Sequence, residues 1–209
     1  MEATLSTPPA PSPRDIEALD ELVDHRVVLH GVSWPQFEAF LRIRGERACV
    51  RITYLEGELE LMSPSWNHEG IKKCLARLLE AFAEERLLPL NGFGAWTLKR
   101  RARDSAIEPD ECYCLGPRRR VPDLAIEVIW THPAIEKLEV YRRLGVREVW
   151  LWEAGALAVH VLGPKGYAQG ERSALLPDID LALLTRFVNA EDQTAAVRAY
   201  RAALRAVTP

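Results

Sequence analysis

Cysteine, unbalanced charge and long apolar runs are all scarce in this 209-residue sequence. The four cysteines are Cys49, Cys74, Cys112 and Cys114; they lack the paired spacing of a zinc knuckle, so reduced thiols packed as small apolar side chains are expected. The net charge is only −3, so binding of an acidic polymer would depend on a local basic patch. No apolar run reaches the length of a membrane span, and the first residues do not resemble a signal peptide, so a cytoplasmic location is expected.

What is present is the composition of an ordinary globular protein, with 48% hydrophobic and 27% charged residues. The length favours a single hydrophobic core. Residues 1–14 are rich in Pro, Ser and Thr and are expected to form a disordered tail. Residues 15–209 are interpreted as one domain that ends in a helix.

Hydrophobic periodicity predicts helices alternating with strands. The clearest helix covers residues 70–85, and another begins after a Ser33 cap. Strands are predicted over residues 50–55, 58–62, 93–98, 146–152 and 157–162, and further helices over 16–23, 181–187 and 191–207. This order predicts an α/β (α+β) fold in which helices pack on a mixed sheet.

The most informative stretch is a predicted hairpin with arms 107–115 and 121–130, followed by a helix over 134–144. Asp110, Asp123 and Glu127 lie within its apolar runs, where an ionised carboxylate is costly unless a cation or hydrogen bonds compensate it. Pairing the arms places Asp110 roughly opposite Glu127, with Cβ atoms about 5 Å apart, so the two could share a divalent ion. Asp123 is about 13 Å from Glu127 along the strand, too far to chelate the same ion.

These acids also have a structural interpretation, in which an arginine or backbone N–H groups satisfy them. For Asp123 that interpretation leads, because an Asp after a proline at a strand entry often caps a turn. On spacing alone, Lys137 is a solvated helix residue. The residues by themselves leave both interpretations open.

Several ordered motifs between residues 50 and 163 resemble the Uma2 family, also called DUF820, of the PD-(D/E)XK nuclease superfamily. They are Glu108-Pro109-Asp110, the run Val121-Pro122-Asp123-Leu124-Ala125-Ile126-Glu127-Val128, the run Glu136-Lys137-Leu138-Glu139-Val140-Tyr141, residues 145–151, and residues 54–64 followed by His68. The resemblance implies a restriction-endonuclease-like mixed β-sheet core flanked by helices.

The resemblance also implies a metal-dependent endonuclease, with DNA favoured over RNA as substrate. Asp110 and Glu127 would hold Mg²⁺ or Mn²⁺, and Lys137 would orient or help deprotonate the attacking water and stabilise charge on the phosphate. Ile129 stands where the superfamily pattern has its lysine, and Lys137 on the following helix takes that place. Glu58, His68 and Asp123 are expected to support the site.

Two basic clusters are candidates for phosphate contacts, since arginine binds phosphate through paired hydrogen bonds. They comprise Lys99, Arg100 and Arg101, and Arg118, Arg119 and Arg120. Solvated surface charge is an equally good explanation for both. A homodimer is expected, because two sites related by a two-fold axis would cut both strands of a duplex.

Two other functions remain open at this point. The first is a nuclease fold without turnover that binds nucleic acid or protein, which the displaced lysine favours. The second is a small-molecule hydrolase that uses the two carboxylates as acid and base without a metal.

Overall fold

The structure is a computed structural model that describes residues 23–45 and 50–206. Three features named from the sequence lie outside the described residues: the predicted tail over 1–14, the predicted helix over 16–23 except for residue 23, and Cys49.

Eleven strands and five α-helices are present in the described residues. The strands are β1 (His25–Leu29), β2 (Arg51–Leu55), β3 (Glu58–Ser63), β4 (Leu90–Gly92), β5 (Leu98–Arg100), β6 (Ser105–Ile107), β7 (Glu111–Leu115), β8 (Leu124–Ile129), β9 (Glu148–Glu153), β10 (Ala156–Gly163) and β11 (Gly166–Gly170). The helices are α1 (Trp34–Arg44), α2 (Trp66–Glu85), α3 (Lys137–Leu144), α4 (Leu181–Arg186) and α5 (Gln193–Ala206).

The strands form two sheets, in the orders β1-β3-β2-β6-β5 and β11-β10-β9-β8-β7-β4. All pairs are antiparallel except β8 with β9, which are parallel and joined through α3. A crossover helix of this kind runs back along its strands, so the start of α3 lies near the end of β8. The mixed α/β (α+β) class is confirmed, although the strands are divided between two sheets.

The segment 108–110 carries the chain from one sheet to the other. The predicted first arm, 107–115, is therefore interrupted: β6 ends at Ile107 in the first sheet and β7 begins at Glu111 in the second. The Glu108 carboxylate accepts hydrogen bonds from Arg44 at 2.7 and 2.6 Å and from the Thr97 hydroxyl at 2.6 Å. Pro109 has no N–H to donate, which suits a residue between ladders. This crossover fixes the position of Asp110.

Helix α2 covers one face of the second sheet. Its apolar stripe, including Leu75, Leu79 and Phe82, is fully buried against Ile126 and Val128 of β8. The helix begins four residues before its predicted start, because the Ser65 side chain accepts a hydrogen bond from the His68 backbone N–H at 3.2 Å. His68 is thereby held in the first turn.

Most other elements agree with their predicted positions. Strand β1 was not predicted, and β6 shares only Ile107 with the predicted first arm. The predicted strand over 93–98 is replaced by β4 and β5, which flank it and belong to different sheets. Strand β11 was not predicted, because its sequence Gly-Tyr-Ala-Gln-Gly lacks an apolar alternation. Among the described residues, no helix is both long enough and apolar enough to cross a membrane.

Candidate active site

Asp110 and Glu127 approach each other between β7 and β8. The strands pair Glu111 with Ile126, so continuing the register by one residue brings Asp110 opposite Glu127. The Val128 backbone N–H donates to Asp110 Oδ2 at 2.9 Å, which ties Asp110 to the same part of β8. The side chains of Asp110 and Glu127 are both almost fully buried. Two carboxylates thus share one buried site.

Glu127 receives one hydrogen bond on each carboxylate oxygen. Lys137 Nζ donates to Oε2, and the Tyr141 hydroxyl donates to Oε1. Lys137 and Tyr141 are four residues apart on α3 and therefore lie on one helix face. Both are buried, so the lysine predicted to act with Glu127 is in direct contact with it.

Asp110 is flanked by two cationic side chains from other elements. His68 Nε2 lies 3.0 Å from Asp110 Oδ2, in an ion pair that is not aligned as a hydrogen bond. Arg51 Nε lies 3.8 Å from Asp110 Oδ1. Both contacts favour an ionised Asp110.

A second layer of charges surrounds these groups. His68 Nδ1 lies 3.1 Å from Asp24 Oδ2, and Asp24 Oδ1 accepts a hydrogen bond from the Ser65 N–H at 2.9 Å. Glu60 accepts a hydrogen bond from the Ala134 N–H at 2.6 Å and lies 3.9 Å from Arg26. Four carboxylates are thus matched by four cations, His68, Lys137, Arg26 and Arg51.

Burial and these partners move two pKa values in opposite directions. Burial alone would raise the pKa of Asp110, but His68, Lys137 and the Val128 N–H lower it well below its usual range. Burial alone would lower the pKa of His68, but Asp110 and Asp24 raise it to about 9. At neutral pH the pair is therefore a carboxylate and an imidazolium.

In the Glu127–Lys137 pair, burial decides the direction of the Glu127 pKa shift, and neighbouring charge decides the direction of the Lys137 pKa shift. Burial and the charge of Asp110 raise the pKa of Glu127, against the lowering effect of Lys137 and Tyr141. For Lys137, burial lowers the pKa, but Glu127 and Asp110 raise it above the ordinary value. Lys137 is therefore a cation in this arrangement, which suits charge stabilisation better than proton abstraction.

The oxygen atoms of the site fit a hard divalent cation. Asp110 Oδ1 is buried and accepts no hydrogen bond from the described residues. Each Glu127 oxygen accepts one hydrogen bond, and a carboxylate has about four acceptor positions. No group of three His, Cys, Asp or Glu side chains that could hold an ion occurs in the described residues. The two carboxylates would supply a partial ligand set of the kind that Mg²⁺ completes with water and phosphate oxygens.

Comparison with known proteins identifies the protein family of this chain. The model of the Uma2 family, described as "Putative restriction endonuclease", matches residues 34–195, which include every residue that contacts Asp110 or Glu127. The chain belongs to the Uma2 family. Uma2 membership supports nuclease activity of the restriction-endonuclease-like class in general. No curated protein matches the chain.

Solved structures similar to this Uma2 chain include a protein that has been described as a nuclease. It is described as a "putative nuclease belonging to DUF820" from Anabaena variabilis ATCC 29413. The two chains are 14% identical and superpose with a TM-score of 0.42, over 70% of this chain and 90% of the other.

Two predicted supporting residues lie elsewhere in the Uma2 chain. Glu58 is half exposed and pairs with His30 at 3.1 Å. Asp123 is buried at the opposite end of β8, where it accepts hydrogen bonds from the Leu115 N–H at 2.9 Å, Arg119 at 2.8 Å and Arg147 at 3.2 Å. Asp123 therefore anchors the turn before β8. His68, by contrast, is part of the site.

The predicted basic residues are distributed over three environments. Arg119 is bound to Asp123, and Lys99 lies 3.6 Å from Glu38. Arg118 lies over the rings of Trp96 and Phe93, with its Cζ 5.3 and 5.8 Å from their centroids. Arg100, Arg101 and Arg120 are exposed.

Sequence reasoning missed five residues of the site as functional candidates: Asp24, Arg26, Arg51, Glu60 and Tyr141. Tyr141 had a usable signal, since it is one turn after Lys137 on the same helix face. The other four, Asp24, Arg26, Arg51 and Glu60, lie on or beside strands of the other sheet, and no local pattern links them to Asp110.

Proposed function

We propose that this protein is a Mg²⁺- or Mn²⁺-dependent endonuclease that hydrolyses phosphodiester bonds of DNA. The observation that carries the proposal is the meeting of Asp110, Glu127 and Lys137 in one buried site. Paired carboxylates beside a fixed cation match the needs of phosphodiester hydrolysis, where negative charge builds up around phosphorus. Family membership supports a nucleic-acid substrate.

Asp110 and Glu127 would hold the metal ion. When bound, such an ion supplies Lewis-acid polarisation of the scissile phosphate and lowers the pKa of a coordinated water. The chain's own contribution is positional: the Val128 N–H and Arg51 hold Asp110, while Tyr141 and Lys137 hold Glu127.

Lys137 would act as a cation toward the phosphate. Its raised pKa keeps the ammonium group charged at neutral pH, so it favours the negative transition state over the substrate. Its place on α3 brings its ammonium group into contact with Glu127, although the superfamily pattern has its lysine two residues further along β8. Ile129, at that position, is buried and apolar.

The test begins with metal binding, because a negative nuclease assay can reflect the wrong substrate. Calorimetry should show Mn²⁺ binding to the wild type at about one ion per chain, lost in Glu127→Gln. Glu58→Gln is the matched control, since it removes a carboxylate outside the site. Loss in both variants, or in neither, would contradict the assignment.

The second step is a cleavage assay on single-stranded DNA, duplex DNA and RNA. Wild type and Glu58→Gln should cleave with Mn²⁺, and Asp110→Asn should not. Cleavage that survives EDTA would instead favour direct acid–base chemistry by the carboxylates. Mn²⁺ binding without cleavage of any of these substrates would favour a binding module.

A homodimer is part of the proposal, because two sites related by a two-fold axis can cut both strands of a duplex. Light scattering after size exclusion measures this directly. A protein that is monomeric in solution and still makes double-strand breaks would contradict the homodimer.

A further inference from the structure

One cleft in the described residues lies away from the carboxylates. It has a volume of about 570 Å³ and is lined by residues of the 96–100 segment, by Arg120 and Val121, and by Leu144. Leu144 is the last residue of α3 and Lys137 is the first, so about 10 Å of helix separates the cleft from the start of α3. This volume is in the range of small-ligand sites.

The cleft brings together two basic clusters that are about twenty residues apart in the sequence. Lys99 and Arg100 line it from β5, and Arg120 lines it from the turn before β8. Lys99 has a carboxylate neighbour, Glu38, at 3.6 Å. Arg100 and Arg120 have none among the described residues. Two guanidinium groups that have no carboxylate partner in the described part of the chain thus border one cavity.

The floor of the cleft is apolar. Leu98 and Leu144 are only 3% and 4% exposed, and Val121 is half buried beside them. Trp96 forms part of the lining, and Arg118 covers its ring at 5.3 Å. A bare anion would not use this floor, and a purely apolar ligand would not use the cations.

We propose that the cleft binds a nucleoside phosphate, with its base against the apolar floor beside Trp96 and its phosphate at Arg100 and Arg120. Aromatic and apolar surfaces bind unpaired bases, and arginine binds phosphate through paired hydrogen bonds. The choice of ligand rests on the proposed function, which makes nucleic acid the substrate. The nucleotide is either free or part of a single strand.

The experiment measures binding of a labelled single-stranded oligonucleotide by fluorescence anisotropy at low ionic strength with EDTA present. Arg100→Gln/Arg120→Gln should weaken binding on the order of tenfold, and the slope of log affinity against log salt should fall by about 1.4. Lys165→Gln/Arg172→Gln is the matched control, since it removes two exposed positive charges outside the cleft. Equal losses in the two double variants, or no binding by wild type, would overturn the proposal.

Competition identifies the source of the nucleotide. Displacement by a nucleoside monophosphate supports a site for a free nucleotide, and displacement only by unlabelled oligonucleotide supports a site for a strand. If inorganic polyphosphate competes as well as the oligonucleotide at equal phosphate, the base has no role and the proposal fails.

The result is separable from the metal-dependent reaction. The anisotropy assay contains EDTA, so it measures oligonucleotide binding without the metal-dependent reaction. Glu58→Gln should bind the oligonucleotide like wild type, because it removes a carboxylate outside both the cleft and the carboxylate site. If the cleft binds the oligonucleotide but no metal-dependent cleavage occurs, the proposed nuclease reaction is rejected and the cleft proposal is kept. If Arg100→Gln/Arg120→Gln cleaves DNA and binds the oligonucleotide with unchanged affinity, the cleft proposal is rejected and the proposed nuclease reaction is kept.

Discussion

His68 Nε2 lies 3.0 Å from Asp110 Oδ2, and the opposite ring nitrogen lies 3.1 Å from Asp24 Oδ2. One buried imidazole therefore joins the segment before β1, the first turn of α2 and the crossover between the sheets. Its two carboxylate partners keep it charged, with a pKa of about 9 against an ordinary 6.5.

This pKa predicts how stability depends on pH in EDTA. Because the folded-state value is raised, the stabilisation is fully present below about pH 6.5 and is lost as the pH rises through about 9. Urea unfolding of the wild type should show this loss, on the order of 1.4 kcal/mol for each pKa unit. His68→Gln should show a flatter profile over the same window. Parallel profiles would contradict a charged His68.

Removing Lys137 should destabilise the protein through Glu127. Lys137→Met leaves a buried carboxylate without its cation, which costs about 3 kcal/mol or more. Adding Glu127→Gln removes that charge, so the double variant should be more stable than Lys137→Met alone. Urea unfolding of the four proteins in this cycle gives the coupling energy. Simple additivity would show that the ion pair does not contribute to stability.

Tyr141→Phe should lower both stability and Mn²⁺ affinity, because its hydroxyl holds Glu127 Oε1. A hydrogen bond to a charged group contributes about 1.5–3 kcal/mol. Tyr200→Phe is the matched control: the Tyr200 hydroxyl is buried and has no hydrogen-bond partner among the described residues. We expect that change to be neutral or slightly stabilising. Calorimetry and thermal unfolding measure the two effects, and an equal response of both variants would exclude a role for Tyr141.

Substitution of Glu148 should destabilise the fold without changing the site around Asp110 and Glu127. Its buried carboxylate accepts hydrogen bonds from Trp150 at 2.6 Å, Ser173 at 2.6 Å, and the N–H groups of Ala174 and Leu175 at 2.8 and 3.1 Å. Glu148→Ala leaves these donors unsatisfied and should cost about 3 kcal/mol.

Mn²⁺ affinity of folded Glu148→Ala should equal that of the wild type at a temperature where both are folded. A reduced affinity would show that metal binding follows global stability rather than the side chains around Asp110.

Elements with a strong periodic pattern were predictable from the sequence. The apolar stripe of α2, the hairpin of β2 and β3, and the pair β9 and β10 all agree with the structure. Asp110 opposite Glu127 followed from pairing two arms about their turn. These features depend on residues close together in the chain, where side-chain alternation and helical spacing are sufficient.

Features that depend on tertiary contacts were not predictable in the same way. The crossover at 108–110 divides what the sequence presents as one strand, because Glu108 is held by Arg44 from α1 and by Thr97. Arg51 and Asp24 reach the site from the other sheet and its flanking segment. The two basic clusters become one cleft only when β5 and the turn before β8 are brought together.

The crossover also has a mechanical consequence. Asp110 follows the segment that links the sheets, whereas Glu127 is fixed within β8, and Arg51 approaches from the opposite sheet. Asp110 is therefore held from both sheets, by the Val128 N–H of β8 and by Arg51 of β2. A substitution at Arg44 removes the partner of Glu108 and loosens the crossover. We expect it to move Asp110 relative to Glu127 and so to slow any reaction that needs both carboxylates, although Arg44 is outside the site.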